Sequence, residues 1–540
     1  MAFGTLFGIW FVGPGSVNPT NQSWTQYGDL RLAELHWKFF RNTEVFQWPI
    51  AGTPNYVRVE PHPILFHLPF KLLDPVLPTN FQFVGLALVL LFALQSLVGH
   101  RLLAYLGLKP VALFLGTAVL TLSPLLTYRT GFLSHTMLGG HFIVLWSILL
   151  YVKTSRSAIQ WSAIAFVAST LDMYLFVIVM TVLVATTVRF VLFSRERTFS
   201  NIGPPLLVPC VISVLSLWAQ GFFVDPTSLS AVYTFRLNVA SFINPHFGAG
   251  LNFSAILPRI SEFFDRSLTN EEVEGFAYLG LGVIAGSILG IPYLFINTQK
   301  RKFLEYIPLF VVALVWLFIA FSSSFVVFRQ EFLIPRIGLV ESFRAIFRAG
   351  PRFAVLAYYL FAVAVIVGCS RVARVSSKAA ALVLMLVVVQ LVDIYPGINK
   401  SHQSISTAKE VSVRLTSSLW ADLGNNFEHL VIYPAYDFHS DFNGVHSNFW
   451  IDEDRWFPLV QFAAESGMSS NFGYLSRENL EYTRGENQKT LSQLRKLDLA
   501  PCTIYAIPDS ARSLVTTLGS RIMKIDGYQV VLGNNKGCKD

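Results

Sequence analysis

Three acids and three arginines hold the positions best suited to chemistry: Asp29, Glu60 and Glu274, with Arg344, Arg348 and Arg352. Asp29 follows Gly28 and opens Leu30 to Arg41, a stretch rich in Leu, Trp and Phe with interleaved charges. That pattern predicts an amphipathic helix lying along a membrane surface. A carboxylate at its start serves either as an N-cap for backbone N–H groups or as a general base at the membrane face. Glu60 and His62 stand in Val59-Glu60-Pro61-His62-Pro63, where two prolines stiffen the chain beside an acid and an imidazole. Proton transfer and a plain polar turn are both open there. Glu274 begins Glu274-Gly275-Phe276-Ala277-Tyr278-Leu279-Gly280 just before an apolar stretch. It is a functional acid or one favoured by the dipole at a helix start. The three arginines suit bidentate contact with a phosphate, or with lipid headgroups.

Other polar residues stand within or beside apolar segments. His135 and His141 are six residues apart, roughly 240° around a helix, so they do not share a face and a two-histidine metal site is disfavoured. His141 reads as a polar contact in the protein interior, and Asp172 as an intramembrane acid or the polar point of a kink between two helices. Glu34 and Lys38 form an i,i+4 pair expected at the surface. Cys210 and Cys369 read as small buried hydrophobes. Cys502 and Cys538 are candidates for a disulfide if the polar tail lies outside the cytoplasm. No Cys/His ligand spacing, Walker A loop, dinucleotide fingerprint or GxSxG elbow is present, so no cofactor is identified, and a divalent metal requirement stays open.

The elements that must position these groups are apolar spans. The chain has 540 residues, 53% hydrophobic and 14% charged, with mean hydropathy +0.51. A soluble domain carries nearer 25% charge. Spans are expected at about 2–13, 82–99, 111–128, 136–152, 158–171, 173–193, 205–221, 277–296, 304–321, 353–370 and 379–396. Met1 to Trp10 reads as the end of a span, not a cleaved signal. Lys and Arg cluster on alternate connections: Arg101 and Lys109; Lys153 and Arg156; Arg189, Arg195 and Arg197; Lys300 to Lys302; Arg371, Arg374 and Lys378. The positive-inside bias puts these in the cytoplasm and the long connections, about 14–81, 222–276 and 322–352, outside. Much of the net charge of +8 is this topological signal, which argues against nucleic acid as a partner. Short apolar runs at Leu430 to Tyr433, Thr503 to Ile507 and Tyr528 to Leu532, with helical patches between, read as a small α/β domain. The expected fold is an α-helical polytopic membrane domain of about eleven spans over 1–399, followed by an extracytoplasmic α/β domain over 400–540.

Several stretches resemble a family of bacterial multi-span membrane proteins grouped with the GT-C glycosyltransferase fold. They are Gly28-Asp29 with Trp37 to Arg41, Leu68 to Lys71 with Phe81 to Gly85, Gly139-Gly140-His141, Glu274 to Gly282, Phe347 to Phe353, and Asn471 to Arg477. The resemblance implies an enzyme of the bacterial inner membrane that takes a sugar from a polyprenyl-phosphate or diphosphate carrier on the outer face. It implies a first-loop carboxylate, here Asp29, as base. The pattern departs from the family where a histidine usually follows the Gly-Asp pair; Leu32, Ala33 and Glu34 stand there. An acid expected near Pro61 is displaced to Glu60, and Asp172 stands where histidine is common.

The first reading is thus a membrane glycosyltransferase, with Asp29, Glu60 and Glu274 as catalytic candidates. His62, His141, Asp172, Arg344, Arg348 and Arg352 would bind substrate. Membrane lipids surround it, and a polysaccharide or lipid-linked glycan would be the acceptor. The alternatives are a transporter or flippase of a lipid-linked glycan, and a non-catalytic envelope scaffold.

Overall fold

The bilayer core offers no water to a backbone N–H or C=O, so a segment entering it must bond to itself, and apolar sequence does so as helix. In the computed structural model, seven helices among the described residues are long and apolar enough to cross a membrane: Val84–Tyr105, Pro110–Phe132, Met173–Phe193, Phe199–Ala219, Lys300–Ala320, Gly350–Val372 and Ser377–Ser406. Four shorter apolar helices, Ala2–Val12, Met137–Val152, Ala158–Leu171 and Leu281–Asn297, account for the remaining expected stretches. The structure describes residues 1–25, 29–42, 64–223, 235–247, 251–257, 270–322, 324–327, 330–334, 338, 342–343, 346–407, 415–434, 441–442, 445–446, 449–471, 480–508, 522–535 and 537–539. Glu60, His62 and Arg344 lie outside the described residues.

The chain divides into two compact units. The first comprises residues 1–30, 79–217 and 231–408, and the second 31–78, 218–230 and 409–540.

Within the first unit, the helix pair split at Asp172 has a local cause. Its carboxylate accepts the N–H groups of Tyr174 and Leu175 at 2.8 and 3.1 Å, an N-cap that starts Met173–Phe193. Helices Leu281–Asn297 and Gly350–Val372 meet through small residues, which let backbones approach closely. A Cβ on Gly368 would stand 2.3 Å from the carbonyl oxygen of Gly290. The segment Glu274 to Gly282 is held from below by the last helix, Ser377–Ser406. Asp393, fully buried, accepts from Tyr278 Oη at 2.6 Å, from the Leu281 N–H at 2.8 Å and from the Ser254 hydroxyl. One turn earlier, Gln390 donates to the Leu279 carbonyl and accepts from the Val283 N–H, each at 3.0 Å. Both side chains are polar groups on an apolar helix, each satisfied by backbone or hydroxyl partners, as burial demands.

The second unit contains a five-stranded sheet in the order Met523–Ile525, Tyr528–Leu532, Thr503–Pro508, His429–Ile432, Ser469–Ser470. The first two pairings are antiparallel and the last two parallel. Cys502 and Cys538 are joined as a disulfide with their Cα atoms 5.4 Å apart.

Two expectations fail here for one reason. The amphipathic helix Asp29–Arg41 does not spend its apolar face on lipid. Leu35 and Phe39 are buried in the core that Trp420, Ile432, Leu459 and Val530 build around the sheet. Residues 31–78 therefore count with the tail, while the last change of unit along the chain falls between residues 408 and 409, close to the expected division at 400. The Glu34–Lys38 pair likewise is no surface pair. Lys38 Nζ lies 2.9 Å from Glu34 and 2.6 Å from Glu465, with its side chain 9% and that of Glu34 3% exposed.

If Phe39 fills a protein core, Phe39→Ala should cost about 3–5 kcal/mol of this unit's stability. Limited proteolysis across a thermal ramp would then show the tail cut at lower temperature than in the wild type. A lipid-facing phenylalanine would leave the cleavage temperature unchanged.

Candidate functional site

The site forms where an apolar helix admits a charge. Pro110–Phe132 ends in a π-helical turn over Tyr128–Phe132, a geometry frequent at functional positions. That turn carries Arg129, 3% exposed. Ser134 then takes a positive φ of 61°, a left-handed conformation uncommon for a residue with a side chain. The reversal brings the His135 N–H within 2.9 Å of the Arg129 carbonyl. One turn of chain thus supplies both a guanidinium and an imidazole.

The second contribution is the turn Asn270–Gly275. Tyr128 Oη donates to the Val273 carbonyl at 2.9 Å, and Gly275 lies where a Cβ would meet the Arg236 carbonyl at 2.6 Å. The close approach therefore requires glycine. It places Glu274, 6% exposed, against Arg129, whose guanidinium bonds both its carboxylate and its main-chain carbonyl. Arg352, at the start of Gly350–Val372, grips the same carboxylate with a fork, Nη2 to Oε1 at 2.6 Å and Nε to Oε2 at 3.2 Å. This is the bidentate geometry that distinguishes arginine from lysine. The Arg352 guanidinium also lies 5.0 Å from the centre of the Tyr174 ring, and the Tyr174 hydroxyl accepts the Ala349 N–H at 3.1 Å.

Asp29 completes the arrangement. His135 Nε2 lies 3.0 Å from Asp29 Oδ2 and 3.9 Å from Glu274 Oε1. Standing between two carboxylates, Nε2 is assigned the ring proton and donates it to Asp29. Burial pulls the His135 pKa down to about 4; the Asp29 charge opposes this, and Arg352 and Arg129 reinforce it. The imidazole is therefore neutral at neutral pH. Burial raises the Asp29 carboxyl, but the bonded His135 and the Arg352 and Arg348 guanidiniums outweigh it and hold Asp29 below its ordinary value. Asp29 is 46% exposed, unlike Glu274. The two acids thus have different chemical prospects. Glu274 is consumed by two arginines, whereas Asp29 is ionised, oriented by one N–H and open to a hydroxyl.

The remaining expected site residues are distributed as follows. Arg348 is half-buried and close enough to act on the Asp29 charge. Asp172 caps its helix and also feels the charges of Arg352 and Arg129, though burial dominates and raises its pKa. His141 stands apart, its Nδ1 2.9 Å from the hydroxyl of Tyr359, which Gln95 also reaches at 3.0 Å. Among the described residues, no three His, Cys, Asp or Glu side chains converge as a metal site. Two residues of the site escaped the sequence reading. Arg129 had a signal: it is a lone charge at the edge of an apolar run, the kind of residue that reads as functional. His135 carries no comparable local signal, since its spacing from His141 points only to the lack of a shared helix face.

Glu274→Ala should leave Arg129 charged, buried and unpaired, at a cost of about 3–5 kcal/mol. Asp29→Asn, at a half-exposed position, should change stability by under about 1 kcal/mol. Melting temperatures in detergent check this contrast. His135 supplies a pH signature. With a folded pKa of about 4 against the ordinary 6.5, only the unfolded chain takes up its proton between those values. Its contribution to stability is therefore complete above pH 6.5 and lost as pH falls toward 4. The melting temperature of the wild type should fall more steeply across that window than that of His135→Gln.

Residues 1–395 match a family described as a domain of unknown function, DUF6311, and residues 419–533 match the DUF6311 C-terminal domain. No curated protein matches the sequence.

Proposed function

We propose that this chain, which belongs to the DUF6311 family, is a membrane glycosyltransferase using a polyprenyl-phosphate or diphosphate sugar. The observation that carries the reading is the pairing of an accessible, ionised Asp29 with the His135 N–H, beside arginines whose charge Glu274 only partly offsets. In this reaction the acceptor hydroxyl gives its proton to Asp29 as its oxygen bonds to the sugar's anomeric carbon. The bond from that carbon to the carrier phosphate breaks on the opposite face, and the electron pair leaves with the phosphate. Arg348 and Arg352 neutralise the charge that develops there, the electrostatic effect that commonly contributes most to catalysis. His135 holds Asp29 in one orientation and stays neutral. Glu274 fixes the arginines and takes no proton.

The Lys and Arg pattern supports a topology of eleven crossings with the site and the tail on the outer side, and the family resemblance points to a bacterial inner membrane. The tail would present the acceptor, a polysaccharide or lipid-linked glycan. A flippase would draw instead on His141 and Asp172, and the Tyr359 bond of the first and the capping role of the second give that reading no support.

The test is sugar transfer by the purified protein in lipid, with a panel of radiolabelled polyprenyl-phosphate sugars. Wild type should transfer at least one. Asp29→Asn should lose about 10²–10⁴-fold, the usual share of a general base, with its melting temperature unchanged. Transfer at the wild-type rate by the variant would remove Asp29 from the mechanism.

A further inference from the structure

The helices that carry Arg129 and Arg352 enclose something else at their far ends. A cavity of about 690 Å³ opens between Pro110–Phe132, Gly350–Val372 and Ser377–Ser406, with Gly282 and Val283 at its side. That volume falls in the roughly 300–1,000 Å³ span of small-molecule sites. Its walls are apolar, formed by Leu115, Val119, Val365, Ile366, Leu384 and Val387. It exists because small residues stand where bulk would close it, among them Ala112, Gly116, Ala373, Ala380 and Ala381. Of its polar members, Gln390 is already bonded to the Leu279 and Val283 main chain.

Two features identify the occupant. First, the cavity is open sideways along the apolar helix surface: Val111 is 74% and Leu384 52% exposed. Apart from the buried Ser370 hydroxyl, the walls give water few partners, and an unfilled space forfeits dispersion contacts, so hydrocarbon fills it in a bilayer. Second, one end carries two exposed cations, Lys109 and Arg374. Arg374 donates to the Gly107 carbonyl at 2.6 Å, which anchors it at the mouth. Among the described residues neither cation has an acidic partner. A partner helix would have to bring an acid to this point. A phospholipid carries a phosphate on a flexible apolar chain and matches both halves, as basic pockets between spanning helices do elsewhere.

We infer that this cavity is a binding site for an anionic phospholipid, one acyl chain lying between the three helices and the phosphate held by Lys109 and Arg374. Its cation end lies at the opposite ends of the helices that bear Arg129 and Arg352, away from the groups proposed for transfer.

Native mass spectrometry of the full chain, released from detergent after titration with phosphatidylglycerol or phosphatidylcholine at equal concentrations, tests this. The wild type should retain phosphatidylglycerol at least tenfold more than phosphatidylcholine. The double variant Lys109→Gln/Arg374→Gln should bring the ratio near one. Ala112→Trp/Ala381→Trp, which fills the cavity, should abolish retention of both with an unchanged melting temperature. Should the double charge variant not fold, Lys109→Gln alone, at an exposed position, should lower the ratio at least threefold. Equal retention of the two lipids by the wild type, retention indifferent to these substitutions, or a dimer mass in place of bound lipid would each overturn the inference.

Discussion

Two guanidiniums sharing one buried carboxylate set the terms for the rest of the membrane unit. Arg129 and Arg352 both bond Glu274, and the trio carries one surplus positive charge. Taking such charges out of water costs several kcal/mol per ion unless the geometry is good and the remaining donors are satisfied. The surrounding structure supplies that geometry from three directions. A π-helical turn aims Arg129, the first turn of Gly350–Val372 aims Arg352, and Asp393 with Gln390 fixes the segment that follows Glu274. Asp29 offsets that surplus. Its ionised state follows from the surplus charge beside it, and the neutral His135 transmits orientation without adding charge.

Two acids which look alike along the chain are separated by these contacts. Asp29 opens an amphipathic helix and Glu274 precedes an apolar one, and either suits a base by residue type. Burial and partners decide between them, since Glu274 is buried and bonded by two arginines, whereas Asp29 is partly exposed, bonded by one imidazole N–H and open to a hydroxyl. The second unit depends on a different interaction. There the apolar face of Asp29–Arg41 enters a soluble-type core, and the buried Lys38 is satisfied by two acids instead of by water.

Much of the membrane unit was legible because its signal is composition over some twenty residues, which tertiary packing does not override. Each expected apolar stretch contains a helix, and the break at Asp172 falls where one acid interrupts an apolar run. The strands of the tail were legible from alternation at Leu430, Ile504 and Val530. What periodicity cannot tell is which surface an amphipathic face meets, since lipid and a protein core select the same residues at positions such as Leu35 and Phe39. Nor does sequence spacing reveal that His135 turns back beside Arg129, because that depends on a left-handed Ser134. The arginine fork on Glu274 joins residues 78 positions apart, a pairing no local pattern encodes.

The division of labour between Asp29 and Glu274 can be measured without knowing any substrate. Carbodiimide labelling of the intact protein in lipid, read by peptide mass spectrometry, reports which carboxylates are accessible and reactive. The account predicts that Asp29 is modified while Glu274 is protected until the protein is unfolded. Modification of Glu274 in the folded protein, with Asp29 left intact, would contradict it.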